Sequence, residues 1–133
     1  MSIWKLLIEK VLLIGDKLIK NKMNWNHLDS EEQLEAIKAE SQERPILIFK
    51  HSTSCPISTT SLSRMERSWK EDEAKNIKLY YLDLLRNKGL SNAVAEVFNV
   101  EHQSPQVLLI KNGESVYDES HFGISFKDIV TAV

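Results

Sequence analysis

The only cysteine of the chain stands in "HSTSCPISTT", residues 51 to 60, directly after the apolar run "PILIFK". A cysteine just ahead of a helix holds its sulfur near unpaired backbone N–H groups and the positive end of the helix dipole, both of which favour thiolate over thiol. Pro56 suits the first turn of such a helix, because it lacks the N–H that would be unpaired there anyway. Cys55 is therefore placed to act as a nucleophile. In a Cys-X-X-Cys pair the second thiol would resolve a mixed disulfide internally, but that position is Ser58. Its hydroxyl can donate a hydrogen bond to the sulfur and cannot form a disulfide, so exchange should halt at a mixed disulfide until an outside thiol arrives. His51, four residues before the cysteine, is a candidate for tuning the thiolate, against the plainer reading of a polar residue at a strand end. The bland alternative for Cys55 itself is a small buried side chain.

Other cysteine chemistries fit less well. A Cys-His hydrolase needs an imidazole against the sulfur, and His27, His51, His102 and His121 are the candidates. A cysteine phosphatase or arsenate reductase would want an arginine six residues on, where Ser61 stands. One thiol supplies neither a disulfide framework nor a four-cysteine zinc site, and no metal ligand set is expected. It points to a reducing compartment, hence the cytoplasm.

The elements that must position this turn are legible from pattern. At 133 residues, 42% hydrophobic and 27% charged, the chain has the size of one globular domain. The net charge of −2 and the scattered aromatics carry no nucleic-acid signature. Charge is uneven, however: residues 1–22 hold five lysines against Glu9 and Asp16. In this segment Trp4, Leu7, Val11, Ile14 and Leu18 make the stripe of an amphipathic helix, too interrupted by charge to span a bilayer and without the layout of a secretory signal. Three readings stand for it: a helix docked on the domain or a partner, a membrane-surface anchor, or a poorly ordered appendage. The domain proper is expected over residues 23–133, with Met23 as a conceivable original start.

A capping box, Ser30 with Gln33, opens a helix running to about Gln42. Pro45 resets the chain into a strand over residues 46–50, and after the cysteine turn Ile57, Leu62, Met65 and Trp69 mark a helical face. A second buried strand is read over residues 77–85 and a third helix over residues 89–100. "QVLLIKNGESVYDE" gives two strands about the Asn112-Gly113 turn, a strong hairpin signal, and a short helix closes the chain. Trp69, Tyr80 and Tyr81 are expected to pack the core. The order is that of a thioredoxin-like α/β fold: a central mixed four-stranded sheet flanked by helices, with the amphipathic N-terminal helix added. In that fold the Ser104–Pro105 bond is expected to be cis.

"HSTSCPIS", together with "ILIFK" before it and "SPQVLLIKNG" after it, resembles the monothiol bacilliredoxins, the YtxJ-like thioredoxin-fold proteins of bacillithiol-using Firmicutes. The resemblance runs from about Asn24 to Val133, rests chiefly on the Ser-Cys-Pro-Ile-Ser turn, and does not include residues 1–22. It implies a thiol-disulfide oxidoreductase that removes bacillithiol from protein cysteines. Cys55, Pro56 and Ser58 would form the catalytic turn, with Ser54, Ser104 and Pro105 on the substrate side. No cofactor need be bound, since bacillithiol is a cosubstrate, and a separate NADPH-dependent flavoenzyme would reduce the bacillithiol disulfide. Gln103 and Ser104 could offer backbone pairing to bacillithiol, and Lys50, Arg64 and Lys111 are candidate partners for its malate, each equally readable as a solvated surface cation. The competing functions are a noncatalytic stress-response or interaction module whose cysteine is only modified, and an iron-sulfur carrier using Cys55 with a low-molecular-weight thiol.

Overall fold

The computed structural model describes residues 23–133; the helix and the domain boundary expected over residues 1–22 lie outside the described residues. Along the chain run β1 (Trp25–His27), α1 (Glu32–Glu40), β2 (Ile46–His51), α2 (Pro56–Ser68), β3 (Lys78–Asp83), α3 (Lys88–Phe98), β4 (Gln106–Lys111), β5 (Glu114–Ser120) and α4 (Phe126–Ala132). Single 3-10 turns occupy Glu71–Glu73 and His121–Gly123. The sheet has five strands in the order β1-β3-β2-β4-β5. β2 pairs parallel with β3 and antiparallel with β4, so the sheet is mixed. This is the thioredoxin-like α/β arrangement.

The sheet expected with four strands has a fifth, β1, which adds parallel to the free edge of β3. Three residues, Trp-Asn-His, are too few to display an alternation. What makes them a strand is tertiary: Trp25 sits opposite Leu79 in register, and its ring lies 5.9 Å from Phe49 and 5.8 Å from Tyr81.

β2 is central and buried along its whole length, which is why it reads as a continuous apolar run rather than an alternating one. Successive side chains still point to opposite faces. Leu47 and Phe49 join Leu79, Val107 and Leu109 beneath Met65, Trp69, Phe126 and Ile129 of the α2/α4 side. Ile46 and Ile48 join Leu82, Leu108 and Ile110 against Leu34, Ile37, Leu90 and Val94 of the α1/α3 side. The same alternation sends the last two residues of the strand apart, Lys50 with Ile48 and His51 with Phe49.

Half of the expected capping box forms. Gln33 Oε1 accepts from the amides of Ser30, at 2.9 Å, and Asp29, at 2.6 Å, but α1 starts at Glu32 with no side-chain cap. At its other end Ser41 binds the distant hairpin: its carbonyl accepts from Asn112 N, and its Oγ accepts from Gly113 N at 2.8 Å. Asn112 and Gly113 both have positive φ, 53° and 78°, the pattern that an Asn-Gly two-residue turn supplies. Ser41 is 4% exposed, so Ser41→Ala leaves the Gly113 amide without its partner. The expected cost is about 1–3 kcal/mol of unfolding free energy, measurable as a lower urea midpoint at unchanged slope.

Candidate active site

The turn after β2 is closed by Cys55 N, which donates to Ser52 O at 3.1 Å. Cys55 then has extended backbone, φ −104° and ψ 115°, and is the N-cap of α2, with Pro56 as the first helical residue. Its carbonyl accepts the first helical bond, from Thr59 N at 3.1 Å, while no side-chain cap covers the helix start. The thiol residue is half-buried. Ser54 is exposed, its Oγ 3.1 Å from Ser52 Oγ.

Ser58 takes a different role from the one its position suggests. It is fully buried. Its Oγ accepts from Ser52 N at 3.0 Å and lies 2.6 Å from His51 Nδ1, and among the described residues no hydrogen bond joins it to the Cys55 sulfur. His51 is buried at the end of a central strand rather than on an edge. Burial lowers its pKa, against the opposing charge of Asp83. A neutral ring carrying its proton on Nε2 satisfies all three groups at once: Ser52 N–H donates to Ser58 Oγ, and the Ser58 hydroxyl donates to Nδ1. Ser58 therefore braces the cysteine turn against β2.

The second wall is the segment before β4. Ser104–Pro105 is cis, as expected, and because Gln106 pairs with Lys50 it lies at the same end of the sheet as the cysteine turn. Pro105 O accepts from His121 N at 3.0 Å, and His121 O accepts from Ser61 Oγ at 3.0 Å, so one chain of bonds ties the proline to α2. Ser104 Oγ is buried and has no hydrogen-bond partner among the described residues. The Gln103 amide turns inward to Gln106 Oε1 at 3.4 Å, which removes it as a donor for a bound thiol.

Two of the three cations suggested for the malate, Lys50 and Lys111, stand away from this site. Lys50 is buried, on the α1/α3 face. Arg64, exposed on α2, is bonded to the carbonyls of Phe122 and Ile124. Lys111 ends β4 beside the hairpin, at the opposite end of the sheet. These corrections share one cause: a sequence gives neither the face a strand residue takes nor the end of the sheet it reaches. What sequence reading missed is apolar. Ile57, read in the sequence with Leu62, Met65 and Trp69 as one helical face, is exposed while Met65 and Trp69 are buried, and Leu85 and Phe122 are exposed too; the bonds of Ser61 and Arg64 set the Phe122 turn on the helical stripe that begins at Ile57. A groove of about 600 Å³, lined by Arg64, Met65, Phe126 and Val130 among others, belongs to the far half of α2 and does not include Cys55.

A family model described as monothiol bacilliredoxin BrxC matches residues 26–129. The chain belongs to the monothiol bacilliredoxin family. Among solved structures it is similar to a thioredoxin-fold protein whose oxidoreductase activity is itself an assignment, at 30% identity and TM-score 0.69, covering 81% of this chain and 92% of that one. The thioredoxins of Trypanosoma brucei brucei (14% identity, TM-score 0.64, covering 86% and 91%) and of spinach chloroplast, thioredoxin f (14%, 0.61, 81% and 92%), share the fold. Family and fold together make this bacilliredoxin a thiol-redox protein of the thiol-disulfide oxidoreductase class, and Cys55 is its only thiol.

Proposed function

We propose that the chain removes bacillithiol from protein mixed disulfides by a monothiol mechanism. The Cys55 thiolate attacks the bacillithiol sulfur of the mixed disulfide. A Cys55-bacillithiol disulfide forms, and the substrate cysteine leaves as a thiolate that takes a proton from water. A second bacillithiol thiolate then attacks the same bacillithiol sulfur, releasing Cys55 and forming bacillithiol disulfide, which a separate NADPH-dependent reductase would return to the thiol pool. Bacillithiol is a cosubstrate here, and the reducing cytoplasm is the natural setting. The observation that carries this reading is the lone thiol at the helix N-cap with a buried serine, already bonded to His51, where a resolving cysteine would stand.

Intact mass after mixing the reduced protein with a bacillithiolated protein tests it. A single bacillithiol adduct is expected on the wild-type chain, none on Cys55→Ser, and free bacillithiol should discharge it. Absence of the adduct where a small alkylating reagent does label Cys55 would sink the proposal.

The exposed apolar groups about the site favour a protein as the substrate over a small disulfide alone. Ile57, two residues on from the thiol, is exposed, and Ser61 ties the turn that carries exposed Phe122 to the same helix; a protein segment covering both would remove their surface from water. Phe122→Ser is expected to lower kcat/KM for a bacillithiolated protein by roughly tenfold, the loss of one well-covered aromatic contact, and to leave reaction with bacillithiol disulfide unchanged. Equal effects on both substrates would show that Phe122 makes no contact with the protein.

A further inference from the structure

Lys50 is a buried cation that the exchange chemistry does not use. It is 0% exposed, and no acidic side chain forms an ion pair with it among the described residues. Its polar contact is His102 Nδ1, 3.3 Å from Nζ, and the same Nδ1 lies 2.9 Å from Ser91 Oγ of α3. A lysine deep in a sheet with no carboxylate is costly, so its presence calls for something that an apolar residue in the same space would not do.

What it touches is the segment that reaches Pro105. His102 is the third residue before that proline. Beside it on β4, Gln106 is fastened to the same segment, its Nε2 donating to Glu101 O at 3.0 Å and its Oε1 accepting from Gln103 N. Gln106 is also the register partner of Lys50. Two neighbouring buried polar residues of the sheet therefore grip residues 101–103 from below, just ahead of Ser104 and Pro105.

We propose that Lys50 is a positioning residue: acting through His102, it fixes the 101–104 segment so that Ser104 and Pro105 are presented to a substrate held at Cys55. His102 is the titratable group facing Lys50. From β3 the residue beside it is Leu82, from α3 it is Ser91 by way of His102, and Asp83, one residue on, acts on His51 of the opposite face. Burial pulls Lys50 down to about 8, and it lowers His102 too, so near neutral pH a charged Lys50 donates to the lone pair of a neutral Nδ1. Once Lys50 loses its charge the grip weakens.

The test compares wild type with Lys50→Met, which keeps the stem and drops the charge, and with His102→Leu. It rests on the proposed function for its kinetic arm. With a bacillithiolated protein, Lys50→Met is expected to raise KM about tenfold, as loss of positioning does, with kcat little changed. The wild-type rise of KM above pH 8 should be absent from Lys50→Met. The rate of Cys55 alkylation by iodoacetamide should be the same in both proteins at every pH, and the double variant should be no worse than the worse single one. An unchanged KM, or an alkylation rate that moves with it, overturns the proposal, the second because Lys50 would then act on the thiol itself. If the wild-type protein turns over no such substrate, the proposed function fails while the inference is still decided by NMR: the His102 Nδ1 shift and the amide shifts of residues 101–104 must change in Lys50→Met, and their constancy would refute it.

Discussion

Ser58→Cys is expected to convert the chain from a monothiol to a dithiol exchanger, with an internal Cys55 disulfide replacing the accumulated bacillithiol adduct. The geometry for this is present. Cys55 is the N-cap and residue 58 the third helical residue, the same pair of positions whose side chain and backbone meet in a capping box. Residues three apart at a helix start have Cα atoms on the order of 5 Å apart, within the range a disulfide spans. Ser58 is buried beneath that turn, so a thiol there is shielded from other reagents and directed at one partner. Intramolecular attack at such a site should shorten the life of the Cys55-bacillithiol adduct by at least about a hundredfold. The price is the Ser58 hydroxyl, which leaves His51 Nδ1 without its 2.6 Å donor and Ser52 N–H with only a weak sulfur acceptor. A modest loss of stability, about 1–2 kcal/mol, should accompany the change. Quenched-flow alkylation with intact-mass readout separates the outcomes. Persistence of the adduct in Ser58→Cys would mean that the new sulfur points along the old hydroxyl direction, at His51, and that the turn itself enforces the monothiol pathway.

The sequence made the fold and the thiol turn legible for physical reasons that did not extend to the rest of the site. Pro56 after Cys55, the apolar run of β2 and the Asn112-Gly113 turn are local signals, each read within a few residues, and they give α2, β2 and the hairpin as observed. Strand β1 has no local signal and depends on an edge supplied by β3, far away in sequence. Ser58 was identified by its offset from Cys55, yet its hydroxyl bonds to His51, across the turn. Lys50 and His51 are adjacent letters that end on opposite faces of a central strand, one against α1 and α3 and the other over α2. Strand periodicity foretells that they separate; only the packing of both faces shows that both are buried. Phe122 was invisible because an isolated apolar residue in a polar stretch has no periodicity. Its meaning comes from the bonds of Ser61 and Arg64 that bring its turn to α2.

Burial of Lys50 also predicts an unusual stability profile. Its pKa of about 8 in the folded chain stands against an ordinary 10.5. Below pH 8 both folded and unfolded chains hold the proton, and the full cost of burying the charge is present. Between pH 8 and 10.5 the folded chain has released a proton that the unfolded chain still holds, so unfolding becomes harder as pH rises. The gap corresponds to about 3 kcal/mol, most of it recovered by pH 10. Tyr81 and Tyr117 work in the opposite direction, since burial raises both above 10: the folded chain keeps them neutral, and stability is lost as the unfolded tyrosines ionise above that pH. The useful window is therefore pH 8 to 10. Lys50→Met removes the lysine's contribution; its other effect is on His102, which is lowered from 6.5 and so titrates below this window, and the difference between the two proteins over pH 8 to 10 isolates the lysine. Urea unfolding at pH 7, 8, 9 and 10 should find Lys50→Met the more stable at pH 7, with its advantage shrinking by about 2–3 kcal/mol toward pH 10 as the wild-type lysine becomes neutral. Parallel curves across that range would mean that the ammonium reaches water in the folded chain, and that its contact with His102 is not the enclosed grip the packing of β2, β4 and α3 describes.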